Sequence, residues 1–298
     1  MLGSNMALMA RERNKVCAAY LKHPIHIKGC EAVQVDLTRK ADVMKNVAGL
    51  APDIIVHTAA LTNVDYCEDH HEEARLANAT AAENVAEAAR KAGSKLVHIS
   101  TDSVFDGKRG MYAESDTTNP INYYAKTKLM AEKAVSRAMP DALIVRTSIY
   151  GWNAQDKASL AEWMIGTLEK GDELRGFSDV FFTPILVNNL SEAVFNACEK
   201  NIAGIYHITG SERCSKLDFA RAVAGVFGLQ KNKIKASTLQ EAGLRAPRPK
   251  DTSLKIAKAQ MELDAKLLNV EDGLIMMKKL RDSGFAAKLK ESMVKQNG

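Results

Sequence analysis

Residues 96–107 read LVHISTDSVFDG, and residues 124–128 read YAKTK. The first stretch begins with an apolar run at 96–99, of the kind that forms a buried parallel strand, and continues directly into Ser100 and Thr101. Open α/β sheets bind their ligands beyond the carboxyl ends of the strands. We therefore expect Ser100 and Thr101 to lie at a ligand site on that edge of a sheet.

Outward from this stretch, short apolar runs alternate with longer helical patterns. The runs lie at 16–20, 33–35, 54–57, 96–99 and 143–145, and the helical patterns at 42–50, 72–92 and 124–139. This alternation is typical of parallel strands joined by crossover helices. The sequence predicts an α/β fold with a doubly wound, Rossmann-like parallel sheet.

The alternation weakens after about Arg146, and the loops lengthen. We therefore expect a dinucleotide-binding domain over residues 1–150 and a smaller C-terminal substrate lobe over 151–298. The sequence has no flexible linker between them, so the lobe should pack closely on the first domain and partly return to it.

The start of the chain departs from this pattern, because residues 1–5 read MLGSN and lead at once into a helix. A doubly wound nucleotide-binding fold has a strand and a glycine-rich turn before its first helix, and the turn brings the backbone close to a pyrophosphate. We expect this first strand and most of the turn to be absent from the sequence, with Gly3 as the last glycine of the turn. Alternatively, Gly3 is an ordinary residue near a helix start.

The composition excludes several classes of protein. The net charge of +5 comes from 41 basic and 36 acidic residues, which is too balanced for a nucleic-acid-binding protein but suits an anionic small molecule. The sequence has no long apolar run and no signal-peptide pattern, so we expect a cytoplasmic protein without a membrane segment. The five cysteines are scattered and form no Cys-x-x-Cys pair, which predicts free thiols and no metal site.

Tyr124 and Lys128 are four residues apart at a helix start, so their side chains share one face. An ammonium beside a phenol stabilises the phenolate, so we expect Lys128 to lower the pKa of Tyr124. The phenol can then exchange a proton with a carbonyl while a cofactor exchanges hydride, and Thr101 or Ser100 would donate to the same oxygen. The same spacing arises by chance on many helices, but its position after a strand ending in Ser-Thr favours a catalytic pair. Tyr123 lacks the matching lysine and should pack or line the pocket.

These motifs, within residues 57–135, resemble the extended short-chain dehydrogenase/reductases, and specifically their dTDP-4-dehydrorhamnose reductase branch. The similarity covers about residues 3–285. It implies a Rossmann domain, NADP or NAD as cofactor, a nucleotide-sugar substrate, and catalytic roles for Thr101, Tyr124 and Lys128. It also allows a homodimer.

The resemblance implies a set of cofactor-binding residues around the catalytic pair. The set comprises Gly3, Lys22, Asp36, Leu37, Thr58, Ala59, Ala60, Thr62, Asn78, Tyr124, Lys128, Thr147 and Ser148. Lys22 follows the strand at 16–20 where an acid would bind the ribose of NAD, and this favours NADP. Several members also have ordinary interpretations: Asp36 as a helix cap, the residues at 58–60 as a tight turn, and Asn78 and Lys22 as surface residues.

The implied substrate-binding residues are Val64, Ser103, Ile149 and Arg248. The guanidinium of Arg248 would suit a diphosphate because its fork matches two oxygens, although a surface arginine in a proline-stiffened loop is an equal alternative. Rhamnose-forming reductases usually have tyrosine where Ser103 stands and tryptophan where Ile149 stands. Losing both aromatic rings would reshape the sugar pocket, so the identity of the sugar stays open.

The function implied is NAD(P)H-dependent reduction of a keto group on a nucleotide sugar, with Tyr124 as proton donor. Two alternatives stay open: a nucleotide-sugar epimerase of the same superfamily, and a non-catalytic, cofactor-binding regulatory subunit resembling that of methionine adenosyltransferase. Dehydratases of the superfamily usually add an acidic pair beside the threonine, whereas Asp102 is followed here by Ser103. The presence of Thr101, Tyr124 and Lys128 together favours an enzyme.

Overall fold

The computed structural model describes residues 1–292, so the end of the predicted lobe at 293–298 lies outside the described residues. The helices are α1 (Leu2–Ala10), α2 (Lys40–Leu50), α3 (Val64–Asp69), α4 (His71–Arg75), α5 (Ala81–Ala92), α6 (Tyr123–Ala138), α7 (Leu160–Glu169), α8 (Val187–Glu199), α9 (Lys216–Phe227), α10 (Ala257–Glu262), α11 (Val270–Asp282) and α12 (Phe285–Glu291). None of these helices combines the length and the apolar character needed to cross a bilayer.

The strands are β1 (Val16–Tyr20), β2 (Cys30–Gln34), β3 (Ile54–His57), β4 (Lys95–Ile99), β5 (Leu143–Arg146), β6 (Ile149–Tyr150), β7 (Leu174–Phe177), β8 (Phe181–Phe182), β9 (Ile185–Leu186), β10 (Gly204–His207), β11 (Cys214–Ser215) and β12 (Ile234–Ser237). The main sheet has the order β10-β5-β4-β3, and every pair in it is parallel. All four residues of β5 are buried, because helices cover both faces of the sheet.

Two helical layers enclose the main sheet. Alanines of α5 and α6, such as Ala86 and Ala131, are fully buried against Leu96 and Ile144 on one face. On the other face, Leu2 and Met6 of α1 and a row of apolar residues from α8 pack on the remaining strand side chains. The predicted doubly wound α/β fold is therefore confirmed.

Strands β1 and β2 form a separate parallel pair, with Val16 opposite Cys30. Within residues 1–292, β3 has no strand partner on the side away from β4, and Ile54 at its start is 39% exposed. The predicted absence of a first strand and most of a glycine-rich turn from the sequence stays a prediction.

The single helix predicted over 72–92 is interrupted. The structure has α4, then a π-helical turn at Leu76–Thr80, then α5. The wider turn directs Asn78 inward, where it bonds to the loop after β3 and to α6. π-Helical turns concentrate at functional sites, and this one lies directly behind the start of α6.

The C-terminal residues build a second core and also return to the main sheet. α7, α9 and α11 enclose a cluster that includes Phe182, Phe219 and Leu274. β10 adds to the edge of the main sheet beside β5, with Tyr206 opposite Val145. The C-terminal lobe is thus continuous with the main sheet, and its role in substrate binding stays a prediction.

Candidate active site

Ser100 and Thr101 lie at the carboxyl end of β4 and are both buried, but their hydroxyls have different partners. The Ser100 hydroxyl donates to Glu132 Oε1 at 2.5 Å. The Thr101 hydroxyl donates to Asp102 Oδ1 at 3.0 Å and accepts from the Ser103 amide at 3.2 Å. The Ser100 hydroxyl is therefore occupied by a hydrogen bond within the core, and the Thr101 hydroxyl is the one that faces the site.

The start of α6 is fixed by Asn122, whose Oδ1 accepts from the Ala125 amide at 2.9 Å and whose Nδ2 donates to the Pro247 carbonyl at 3.0 Å. This cap sets the register that directs Tyr124 and Lys128 toward the end of β4. Tyr123 points the other way and stacks on His71, with ring centroids 3.6 Å apart, as a packing role predicts.

The expectation that Lys128 lowers the pKa of Tyr124 is wrong for the free protein. Burial raises the pKa of Tyr124 strongly and the Asp102 carboxylate raises it further, while the neighbouring Thr101 hydroxyl only partly opposes the rise. The Lys128 ammonium donates instead to the Ile99 carbonyl at 2.7 Å. Tyr124 is therefore a neutral phenol that can donate a proton.

Lys128 is itself buried, with 3% of its surface exposed. Burial lowers the pKa of Lys128 to about 8, against the attraction of Glu132, which raises it. Beneath the ammonium, His57 and His98 pair through their Nδ1 atoms at 3.0 Å. Burial and the Lys128 charge lower the pKa of both imidazoles, so both are neutral.

Replacing Lys128 with methionine should stabilise the protein at neutral pH while removing the ammonium that we predict to act with Tyr124. Because the pKa of Lys128 falls from 10.5 to about 8 on folding, the native state buries a charge at neutral pH that the unfolded chain keeps in water. After subtracting the hydrogen bond to Ile99, we expect the free energy of unfolding to rise by about 2 kcal/mol. Urea denaturation of both proteins measures this difference.

The sign of the pH dependence provides the check. Between pH 8 and pH 10.5 the unfolded chain binds more protons at Lys128 than the native state does, so the wild type gains stability there as the pH rises. The advantage of the Lys128→Met variant should shrink across that window. Two results would contradict the lowered pKa of Lys128: a Lys128→Met variant that is less stable than the wild type at neutral pH, or one whose gain in stability does not change with pH.

A buried ion pair that we did not predict supports both strand ends. Glu132 lies one turn after Lys128 on the same face of α6 and accepts two hydrogen bonds from Arg146, at 3.0 Å from Nε and 2.7 Å from Nη2. The side chains of Arg146 and Glu132 are 4% and 3% exposed. Through Ser100 and Arg146, this carboxylate joins α6 to the ends of β4 and β5. The spacing of four from Lys128 to Glu132 is the sequence signal that could have revealed it.

Asn78 supports the site but does not face it. Its Oδ1 accepts from the Leu61 amide at 2.7 Å, and its Nδ2 donates to the Leu61 carbonyl at 3.1 Å and to Thr127 Oγ1 at 2.9 Å. The surface interpretation is wrong, because Asn78 is 1% exposed. These bonds connect the loop after β3 to α6, and contact between Asn78 and a cofactor stays a prediction.

Two observations at the sheet edge fit a dinucleotide. A Cβ on Gly3 would lie 2.7 Å from Thr58 Oγ1, so the first turn of α1 meets the end of β3 at a distance that suits glycine. At the end of β5, the buried Thr147 hydroxyl has no partner among residues 1–292. The small residues Ala59 and Ala60 continue the same edge. No cluster of three or more metal-ligating side chains occurs among residues 1–292.

The other predicted cofactor residues make local contacts or are exposed, and their contact with a cofactor stays a prediction. Asp36 Oδ1 accepts from the amide and hydroxyl of Thr38, which forms a turn before α2 rather than a cap. Leu37 is held through its carbonyl by Asn84, Lys22 is exposed, and the Thr62 hydroxyl accepts from Lys157 at 3.2 Å. The Ser148 carbonyl accepts from Ile185, which joins this loop to the lobe.

The predicted substrate residues divide into two groups. Val64, Ser103 and Ile149 are half-buried, and the Ser103 hydroxyl donates to Asp102 at 3.1 Å. Arg248, by contrast, binds Asp65 Oδ2 at 2.9 Å and its own loop at the Ala246 carbonyl. Asp65 is thus the anionic partner of Arg248 in the structure, and the binding of a diphosphate by Arg248 stays a prediction.

The substrate lobe adds polar groups that the sequence did not reveal. Thr252 Oγ1 donates to Asp102 Oδ2 at 2.6 Å, so Asp102 accepts from three hydroxyls. Burial raises the pKa of Asp102, while those hydrogen bonds and the charge of Lys216 lower it. Thr252 and Lys216 lie more than a hundred residues from Asp102 in the chain, and no local pattern connects them.

Comparison with known proteins places this geometry in a family. The model of the RmlD substrate binding domain matches residues 1–280. The chain belongs to this family. The probable low-salt glycan biosynthesis reductase Agl14 of Haloferax volcanii is 30% identical over 278 residues, which cover 92% of this chain and 93% of that protein. The predicted resemblance is thus confirmed.

Two further relatives represent the two kinds of function considered above. The structure of dTDP-4-dehydrorhamnose reductase from Bacillus anthracis in complex with NADP superposes with a TM-score of 0.81 at 28% identity, covering 93% of this chain and 96% of that one. Methionine adenosyltransferase 2 subunit beta of Danio rerio is 29% identical over 254 residues, covering 82% of this chain and 76% of that protein. The RmlD-family fold therefore carries both an enzyme and a protein named as a subunit.

Proposed function

We propose that this member of the RmlD family reduces a keto group on a nucleotide sugar with NADPH, or with NADH. The observation that carries the proposal is a neutral, half-buried Tyr124 phenol beside the buried Thr101 hydroxyl, at the carboxyl end of a central parallel strand. A general acid needs its proton at working pH, and a phenol with a raised pKa keeps it.

The residues supply the proton and the hydrogen bonds of the reaction. Tyr124 donates its proton to the carbonyl oxygen as the carbonyl carbon is reduced to an alcohol. The Thr101 hydroxyl, which donates to Asp102 in the structure, can turn its proton to the same oxygen as negative charge develops there. Lys128 then lies one turn from the phenolate that forms and stabilises it electrostatically.

Gly3, Thr58, Ala59, Ala60 and Thr147 would hold the cofactor, whose reduced nicotinamide supplies the hydride. The Lys128 ammonium has three N–H groups and uses one of them on Ile99, so the others are available to ribose hydroxyls. The exposed Lys22 after β1 favours NADPH, because a lysine tolerates the extra phosphate that an acidic residue would repel.

The catalytic groups favour a reductase over the two alternatives. A regulatory subunit has no need for a buried lysine, which lowers the stability of the fold at neutral pH. An epimerase would use the same phenol but would give no net consumption of reduced cofactor. The pocket lacks aromatic rings at Ser103 and Ile149, so the sugar need not be the precursor of rhamnose. A cytoplasmic location and a homodimer belong to the same proposal.

Mixing the purified protein with NADPH and a dTDP-4-keto-6-deoxy sugar tests the proposal. We expect consumption of NADPH in proportion to the ketone added, and none with the same nucleotide sugar carrying a hydroxyl at that carbon. NADH under the same conditions compares the cofactors, and UDP-linked 4-keto sugars compare the nucleotides. Conversion of the sugar without consumption of reduced cofactor would favour the epimerase, and no conversion of any keto sugar would favour the regulatory subunit.

A further inference from the structure

Lys216 lies in the C-terminal lobe, where its position is fixed by the backbone. It is the first residue of α9, which is capped by the Ser215 hydroxyl accepting from the Asp218 amide at 3.0 Å. The Lys216 amide donates to the Val180 carbonyl, and its Nζ lies 3.1 Å from the ring centroid of Phe182. Phe182 is 3% exposed, so the ring that carries the ammonium is itself part of the lobe core.

The Lys216 ammonium has no anionic partner among the described residues, unlike two neighbouring cations of the lobe. Arg213 binds Asp251 at 2.6 Å and Lys250 binds Asp179 at 3.3 Å. For Lys216, no carboxylate in residues 1–292 lies within ion-pair distance, and its Nζ contacts the Phe182 ring instead. The residue is half-buried, and an aromatic face compensates only part of the hydration that the ammonium loses there.

Thr252 connects the strand beneath Lys216 to Asp102. Its amide donates to the carbonyl of Phe181, the neighbour of Phe182 in β8, and its hydroxyl donates to Asp102 Oδ2 at 2.6 Å. Lys216 and Asp102 form no ion pair, and the Asp102 oxygens accept from hydroxyls instead. The charge of Lys216 lowers the pKa of Asp102, which agrees with this placement of the ammonium near the carboxylate.

We propose that Lys216 binds the sugar ring of the substrate by donating a hydrogen bond to a ring hydroxyl adjacent to the reacting carbonyl. A hydroxyl accepts from an ammonium and can donate to a carboxylate in the same geometry, so a polyhydroxylated ring suits the space between Lys216 and the Thr101–Asp102 pair. The proposal rests on the nucleotide-sugar function above and identifies the part of the substrate that the lobe recognises.

Binding of a nucleoside diphosphate with and without its sugar isolates this contact. Calorimetry on the full chain would compare dTDP with dTDP-glucose, and UDP with UDP-glucose, in wild type and in Lys216→Met. For the nucleotide that the wild type binds, we expect the variant to bind the sugar-linked probe about 10- to 100-fold more weakly, which is the range for a lost charged hydrogen bond. Affinity for the diphosphate without sugar should be unchanged.

Two further variants control for structure. Lys258 also places its ammonium over a ring, 3.7 Å from the centroid of Tyr206, but at the far edge of the sheet, so Lys258→Met should leave both affinities unchanged. Lys216→Arg keeps the charge and the contact with the ring and should retain most of the affinity for the sugar-linked probe.

The outcomes separate the two proposals. Equal affinity of wild type and Lys216→Met for the sugar-linked probe, or an equal loss for both probes, overturns the role of Lys216 and leaves the reductase untouched. A wild type that binds none of the four probes overturns the nucleotide-sugar function, and the role of Lys216 with it.

Discussion

Replacing Tyr124 with phenylalanine should lower kcat for reduction of the keto sugar by about 10²- to 10⁴-fold, the usual contribution of a positioned general acid. The substitution removes one oxygen from a half-buried side chain and leaves the ring in place. The phenol acts on the substrate, so the affinity for NADPH should change little. Steady-state kinetics together with fluorescence titration of NADPH measure both quantities.

The adjacent residue provides a matched control for this variant. Tyr123→Phe removes a hydroxyl from a ring that stacks on His71 outside the site, and kcat should stay close to the wild-type value. If both variants kept full activity, or if both lost it equally, Tyr124 would not be the proton donor.

Glu132→Gln should produce the largest loss of stability among single substitutions at the site, about 3–5 kcal/mol. It leaves the Arg146 guanidinium buried and charged without its carboxylate. One nitrogen of Arg146, Nη1, already lacks a partner among the described residues, so the network has no spare acceptor to compensate. Thermal unfolding should show a decrease in Tm of roughly 10 °C.

An exposed arginine–glutamate ion pair serves as a control, because it has the same charges as the buried pair but keeps them in water. Arg137 binds Glu83 at 2.7 Å with 73% and 38% of the side chains exposed, and Glu83→Gln should cost less than about 1 kcal/mol. The double variant Glu132→Leu with Arg146→Met should recover much of the lost stability, because it buries no unpaired charge. Equal costs for Glu132→Gln and Glu83→Gln would contradict a structural role for the buried pair.

The parts of the fold and site that follow from local pattern were predictable. The run at 96–99 needs burial on both faces, so it identifies a central strand, and the residues after it must reach the ligand edge. The spacing of Tyr124 and Lys128 fixes their shared helix face in the same way. These inferences need only the periodicity of a strand and a helix.

The features of the site that we could not predict from the sequence depend on contacts between distant segments of the chain. The carboxylate that binds Arg248 comes from Asp65, 183 residues earlier, and one of the three hydroxyls that donate to Asp102 comes from Thr252 in the C-terminal lobe. The π-helical turn at Asn78 forms because its amide bonds to Leu61 and Thr127, which a helix propensity cannot anticipate. The pKa of Tyr124 was predicted with the wrong sign because spacing shows which charges are near but not how deeply a phenol is buried.

The most direct test of the reductase assignment is the reaction of NADPH labelled with deuterium at the transferable position of its nicotinamide. We predict that the product carries one deuterium at the carbon that held the keto group, and that one molecule of labelled product forms for each NADPH consumed. Alcohol product without deuterium, or an unchanged keto sugar recovered beside intact NADPH, would contradict the account.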